Sequence, residues 1–294
     1  SSDLILALMV IYCHACVLLY PKYKGDFLAQ FTKYQIDLGA LAVHCFFVVS
    51  GFLIAQSALH SSTVFDFLVR RVLRIVPAFA VSLVCAAFII GPLVTSMSMS
   101  EYFKPDASDP YKFVYKNLIF GVTGNVWGFN DVFSENPHPN SVNGSMWTLA
   151  HEVAMYGIFA ILMFFGLIRK KIFVLALWGL FWLALIAYHI IGYQPFTKPI
   201  VYWWVLNVWN YPKFITEGLF FVSGSLLYLY RDRVPYNKPL FIASLSGIIV
   251  CFIFNHLKFG LLLFLPYVVI YFCVNKRYAK FQNFGDYSYG LYIF

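Results

Sequence analysis

The chain has 294 residues, 61% of them hydrophobic and 20% aromatic against 12% charged, and its mean hydropathy is +0.73. A water-soluble core cannot hide that much apolar surface, so the composition excludes a soluble globular enzyme and points to an integral membrane protein. The formal charge of +8 is no sign of nucleic-acid binding, because the basic residues fall in short clusters between apolar runs and form no basic arm.

In chain order, hydropathy predicts spans at roughly 4–20, 36–59, 72–95, 147–168, 172–191, 214–230, 239–255 and 259–275. A further span opens near Asp286 and is cut off at Phe294, and the first apolar run starts almost at Ser1 without a cleavable signal pattern. The segment 200–209 is too short to cross and is expected at the interface. Lys/Arg clusters at Arg70/Arg71/Arg74, Arg169/Lys170/Lys171, Arg231/Arg233/Lys238 and Lys276/Arg277/Lys280 occupy every second loop. That alternation predicts a cytoplasmic N-terminus, with these loops on the same side. The longest loop, about 96–146, then faces outward, and its acids and turn residues predict a water-exposed, partly ordered segment. No internal repeat supports a transporter of inverted halves, and residues 1–294 read as a single all-α, polytopic helical bundle. The six cysteines lie inside apolar runs without metal-site spacing and read as small core residues, so no metal site is expected.

Polar groups inside such spans are the candidates for chemistry. Arg70, Arg71 and Arg74 lie between two apolar segments; always charged, they suit a phosphate or carboxylate partner, although on topology grounds alone a positive-inside anchor is the favoured reading. In a helix they crowd one side, and a bound polyanion would relieve their repulsion. His14 sits mid-way along the first span, where imidazole is either hydrogen-bonded within the bundle or positioned to move a proton. The second span carries Asp37 and His44, and His44 either packs or lines the same cavity as His14. Its Ser50-Gly51 pair most simply lets another helix approach closely. At the start of the fourth span, Ser145 is expected as N-cap. Thr148, Glu152 and Tyr156 follow on one helix face, with Trp147 nearby and His151 on the adjoining face. Glu152 needs a basic partner or a polar substrate. Asp286 and the tyrosines of Gly285 to Tyr292 suit a cap and a headgroup belt. No phosphate loop, dinucleotide fingerprint or nucleophile elbow is present.

Together these stretches resemble the membrane-bound acyltransferase family 3, which O-acylates cell-surface polysaccharides and related acceptors. The resemblance rests on Val10 to Ala15 around His14, Phe46 to Ile54, the R-R-x-x-R-I-x-P run Arg70 to Pro77, G-S-x-W-T-L-x-x-E-V at Gly144 to Val153, and G-D-x-S-Y-x-x-Y at Gly285 to Tyr292. It covers essentially the whole chain. Two departures stand out: Asp3 occupies the position where members usually carry arginine, and the chain ends before the last of the family's about ten spans is complete.

The resemblance implies transfer of an acyl group, usually acetyl, from cytoplasmic acyl-CoA to a glycan or polysaccharide hydroxyl outside a bacterial inner (plasma) membrane, with no tightly bound cofactor. Arg70, Arg71 and Arg74 would then hold the CoA phosphates, with His14 and Glu152 as the catalytic pair. His44, Trp147, His151 and Tyr156 would contact substrate. The partners expected are acyl-CoA, the acceptor and the lipid bilayer, without nucleic acid. A flippase for a lipid-linked sugar and a non-catalytic component of a polysaccharide-assembly complex are the alternatives.

Overall fold

The structure is a computed structural model describing residues 2–19, 25–106, 109–119, 126–136, 139, 142–191 and 211–274. The interfacial segment expected at 200–209, the Lys276 cluster and the Asp286 span lie outside the described residues. So does the side chain of Asp3.

Among the described residues every regular element is helical. Helix α1 (Ser2–Leu19) leads through short α2 (Phe27–Phe31) into α3 (Leu38–His60). Helix α4 (Val64–Cys85) continues through a π-helical turn, Ala86–Ile90, into α5 (Gly91–Val94). Short α6 (Met99–Tyr102) and α7 (Pro110–Leu118) precede α8 (Met146–Phe164), α9 (Lys171–Ile191), α10 (Tyr211–Leu229), α11 (Lys238–Ile253) and α12 (Leu257–Val274). Five are long and apolar enough to cross a membrane: α3, the continuous Val64–Val94 helix, α8, α9 and α12; α1 and α11 are shorter apolar helices. The chain is an all-α membrane bundle.

One boundary and one cap differ from expectation. The third span begins at Val64, not near 72, because the Thr63 hydroxyl accepts from Asp66 N–H at 3.0 Å and caps the helix early. The resulting 31-residue helix exceeds the ~20 residues a bilayer core requires, so the arginines ride on surplus helical turns instead of a loop. Ser145 does precede α8, but its hydroxyl donates to the Asn143 side chain at 2.6 Å and forms no side-chain cap.

Helix α10 is the centre of the bundle, packed against α3, α8, α9 and α12. Its acid, Glu217, is tolerated because the surrounding wall is protein, not lipid. The contact with α3 is backbone on backbone. A Cβ on Gly51 would lie 1.8 Å from the Phe221 carbonyl oxygen, and one on Gly224 would lie 2.0 Å from that of Val48. Ser225 Oγ donates to Gly51 O at 2.8 Å across the seam. The close approach expected at Ser50-Gly51 is therefore made by Gly51, with α10 as the partner.

Antiparallel packing gathers the helix ends into two sets. At one end Arg71 lies 3.4 Å from Ser57 near the end of α3, and Lys171 Nζ sits 5.0 Å over the Tyr230 ring beyond α10. At the other end Leu257 N–H donates to Gln35 at 2.9 Å, drawing the start of α12 to the start of α3.

The described part of the loop after α5 carries α6 and α7 and is tied back to the bundle. Asn130 and Asp131 take left-handed backbone angles. Thr95 Oγ1 donates to Asn130 O at 2.9 Å, and the Asn130 amide donates to Tyr102 O. Hydrogen bonds from Ser134 and Ser96 hold the Asp131 carboxyl below the usual carboxylate range. Tyr102 is buried and donates to Ala87 O at 2.6 Å inside the π turn, and burial pushes its hydroxyl up to about 12. Tyr102→Phe leaves Ala87 O without that donor and should cost about 1–2 kcal/mol, read as a lower melting temperature in detergent with the rest of the fold retained.

Candidate active site

A cavity of about 600 Å3 opens at the end of the bundle where α3, α8, α10 and α12 begin. Helix geometry decides what lines it. His14 comes from the second half of α1, Asp37 from the N-cap of α3, and His44 from two turns further along α3. Trp147 and Thr148 come from the first turn of α8, and Lys213 and Glu217, one turn apart, from α10.

His44 is the most constrained of these groups. Its Nδ1 lies 3.1 Å from the Glu217 carboxylate oxygens. The ring stacks on Phe220 with centroids 4.2 Å apart. Glu217 is only 3% exposed, so its hydrogen-bonding partner is the imidazole and not water. His14 is half-buried on the α1 wall and feels the nearby Asp37 carboxylate. Asp37 Oδ1 accepts from Ala40 N–H at 2.6 Å, capping α3. Asp26 accepts from Ala29 N–H at 2.9 Å and Leu38 N–H at 2.7 Å. Donor atoms of Cys13, Asp26 and Asp37 lie within 4.8 Å of one another. Both carboxylates in that group serve helix N-termini, so the cluster has a structural explanation.

Glu152 and Tyr156 do not reach this cavity. They point from α8 toward α3, where Glu152 Oε1 accepts from Ser50 Oγ at 2.8 Å and from the Tyr156 hydroxyl. Thr148 and Tyr156 are separated by about 12 Å along the helix axis, so this cluster lies deeper in the bundle than the cavity wall. Arg71 extends it: its guanidinium lies 6.0 Å from the Tyr156 ring centroid and interacts electrostatically with Glu152. Its Nε is buried without a hydrogen-bond partner among the described residues.

The three arginines do not act as one cluster. Arg70 makes a paired hydrogen bond to Asp66, both contacts at 3.0 Å, on the exposed side of α4. Arg71 turns inward. Arg74 is exposed, yet both Arg71 and Tyr156 feel its charge. Asp66, one turn before Arg70, relieves the mutual repulsion expected from sequence. His151 is 1% exposed and packs edge-on against Trp147 and Phe214 at 5.2 and 5.5 Å, without lining the cavity. Lys213 Nζ lies 4.6 Å over the Trp147 ring.

Most of the residues singled out from sequence fall in two groups, with Arg70, Arg74 and His151 in neither. His14, His44 and Trp147 line the cavity, while Glu152, Tyr156 and Arg71 form a polar column toward the opposite end of the bundle. Sequence reasoning passed over Glu217. The signal was present, since an acid within an apolar helix demands a partner, but the partner lies 173 residues away.

A membrane bundle with an imidazole-lined cavity at one end and inward-facing guanidinium near the other is equipped to bind charged and hydroxylated molecules and to move protons between them. The chain belongs to acyltransferase family 3: the family's acyltransferase domain matches residues 3–294. It is an acyl-transferring enzyme. An O-acetyl transferase of Shigella phage Sf6 is 25% identical over 300 residues, an alignment covering 100% of this chain and 82% of the relative. No solved structure matches.

Proposed function

We propose that the enzyme moves an acyl group, acetyl in the first instance, from cytoplasmic acyl-CoA to a hydroxyl of an extracytoplasmic glycan at a bacterial inner membrane. The observation that carries this reading is the buried Arg71 Nε, a donor without a partner among the described residues at the cationic end of the bundle. A half-buried guanidinium with one donor left unpaired suits a phosphate oxygen, and CoA is rich in phosphate. Arg169, Lys170 and Lys171 join the same end, which favours the cytoplasmic side for it and the outer side for the cavity. Arg71 and Arg74 grip the nucleotide, with Arg70, already paired to Asp66, adding its charge nearby. The pantetheine arm runs along the Ser50–Glu152–Tyr156 column, and the acceptor enters beside Trp147. His14 takes a proton or briefly holds the acyl group. His151 supports the Trp147 wall from behind. The relative's printed activity supports acetyl as the group transferred.

Radiolabelled acetyl-CoA added to membranes should label surface polysaccharide only where the protein is expressed, and base treatment should release the label. Label that never enters the polymer, with or without the protein, would count against this donor and acceptor. In the same assay Arg71→Lys retains the charge and loses the fork. Loss of one charge-assisted contact is worth about 1.5–3 kcal/mol, so the KM for acetyl-CoA should rise by roughly tenfold or more. An unchanged KM would remove Arg71 from the donor site.

A further inference from the structure

We infer that Glu217 and His44 form a second acid–base centre, with His44 as the catalytic base toward the acceptor hydroxyl and Glu217 as its positioning residue. The inference rests on the acyl-transfer reading above and adds a residue, Glu217, that the sequence did not single out.

Three observations carry it. First, both Glu217 carboxylate oxygens lie 3.1 Å from His44 Nδ1, and a carboxylate there takes its hydrogen bond from Nδ1–H. This fixes the tautomer and leaves the lone pair on Nε2, the only other polar atom of the ring. Second, the ring cannot swing away: Phe220 stacks on it at 4.2 Å, and Glu217 and Phe220 lie on α10, which is locked to α3 by backbone contact at Gly51 and Gly224. Third, His44 lines the cavity that also contains His14, Asp37 and Trp147, so Nε2 serves a space large enough for a sugar ring. A carboxylate behind an imidazole that faces a reactant is the arrangement that stabilises the imidazolium formed during proton abstraction. A purely structural ion pair needs neither the cavity nor a fixed tautomer.

The chemistry balances without another reactant. The acceptor oxygen attacks the acyl carbonyl as its proton moves to His44 Nε2. The new oxygen–carbon bond forms, the carbon–sulfur bond of the thioester breaks, and the imidazolium returns the proton to the departing sulfur. The products are the ester and free CoA. His14, on the α1 wall, is left to face the thioester.

The test compares acyl transfer by wild type, His44→Ala and Glu217→Gln in membranes, with each variant's melting temperature measured in detergent. Both substitutions should lower transfer by roughly 100-fold with the KM for acetyl-CoA unchanged. Free imidazole should recover about a tenth or more of the lost activity in His44→Ala. It should do nothing for Glu217→Gln, whose ring is still in place. A folded His44→Ala that transfers within about threefold of wild type, or whose loss imidazole does not relieve, would overturn the assignment. Should the alanine variant fail to accumulate, Glu217→Gln decides alone, because the amide oxygen can still accept from Nδ1–H. Near-wild-type turnover there overturns the dyad, and a loss confined to kcat supports it. A wild type that transfers no acyl group would sink the acyl-transfer reading and the dyad together, whereas normal transfer by every variant sinks only the dyad.

Discussion

His14→Ala should abolish acyl transfer, by about 10³-fold or more, in a protein that still inserts and melts as wild type does. The expectation of an intact fold comes from where the ring sits. His14 is half-buried and lines the cavity, so removing it enlarges an existing space more than it empties a packed core. Its Asp37 neighbour keeps its own duty at the N-cap of α3 and does not depend on His14 to be satisfied. The loss should therefore appear in kcat, while binding of acetyl-CoA at the arginine end is retained. Labelled donor binding and polymer labelling, measured on the same membranes, separate the two. Transfer at wild-type rates would remove His14 from the mechanism.

His151 provides the contrast. It is 1% exposed and wedged against Trp147 and Phe214, so its truncation acts through packing. A comparison of melting temperatures separates that effect from the His14 effect, even if both variants are inactive in cells.

How far the sequence alone reaches can be judged from particular residues. The spans are legible because apolar runs of the required length are separated by charge clusters. Helix α10, expected as a span at 214–230, does form a helix there but, with Lys213 and Glu217 in its first turns, is not among the five long and apolar enough to cross. Cap chemistry is less legible: Thr63 extends the arginine-bearing helix two turns beyond expectation, and Asn143 diverts the hydroxyl of Ser145. Both are contests among local hydrogen bonds that composition does not rank. The Asp66–Arg70 pair was readable from its i,i+4 spacing. That the inward guanidinium would be Arg71 was not readable, since it depends on which side of α4 meets α8. The cavity is a product of tertiary structure. A cavity shared by His14 and His44 was one of two readings the sequence left open for His44, whereas Glu217 comes from a third helix 173 residues away, and nothing in one sequence brings it to them. Gly51 was recognisable as a site of close approach, whereas its partner Gly224 was not.

That seam yields the other large effect. Gly51→Ala should prevent the bundle from assembling stably, although a single methyl group is all that is added. The new Cβ would lie 1.8 Å from the Phe221 carbonyl oxygen, against an optimal non-bonded separation of about 3.5 Å. The obstacle is backbone, so no side-chain rotamer can relieve it, and α3 and α10 would have to move apart by roughly 1.5 Å or more. Separation would also stretch the Ser225–Gly51 hydrogen bond and open the matching contact of Gly224 with Val48. In lipid, helices associate through this kind of close packing and not through the hydrophobic effect, so the separation strikes the main contact of the pair and pulls on the His44–Glu217 and His44–Phe220 contacts as well. Overpacking in a core costs about 1–3 kcal/mol when neighbours can yield, and here they cannot, so the upper end or beyond is expected. Because the same seam holds Phe220 and Glu217 against His44, any protein that survives should also lose acyl transfer. Gly179→Ala in α9 is the control, since nothing lies within 4 Å of its Cβ position. That change should be neutral or stabilising by up to about 1 kcal/mol. Equal melting temperatures for the two alanine variants would mean that α3 and α10 do not meet at Gly51.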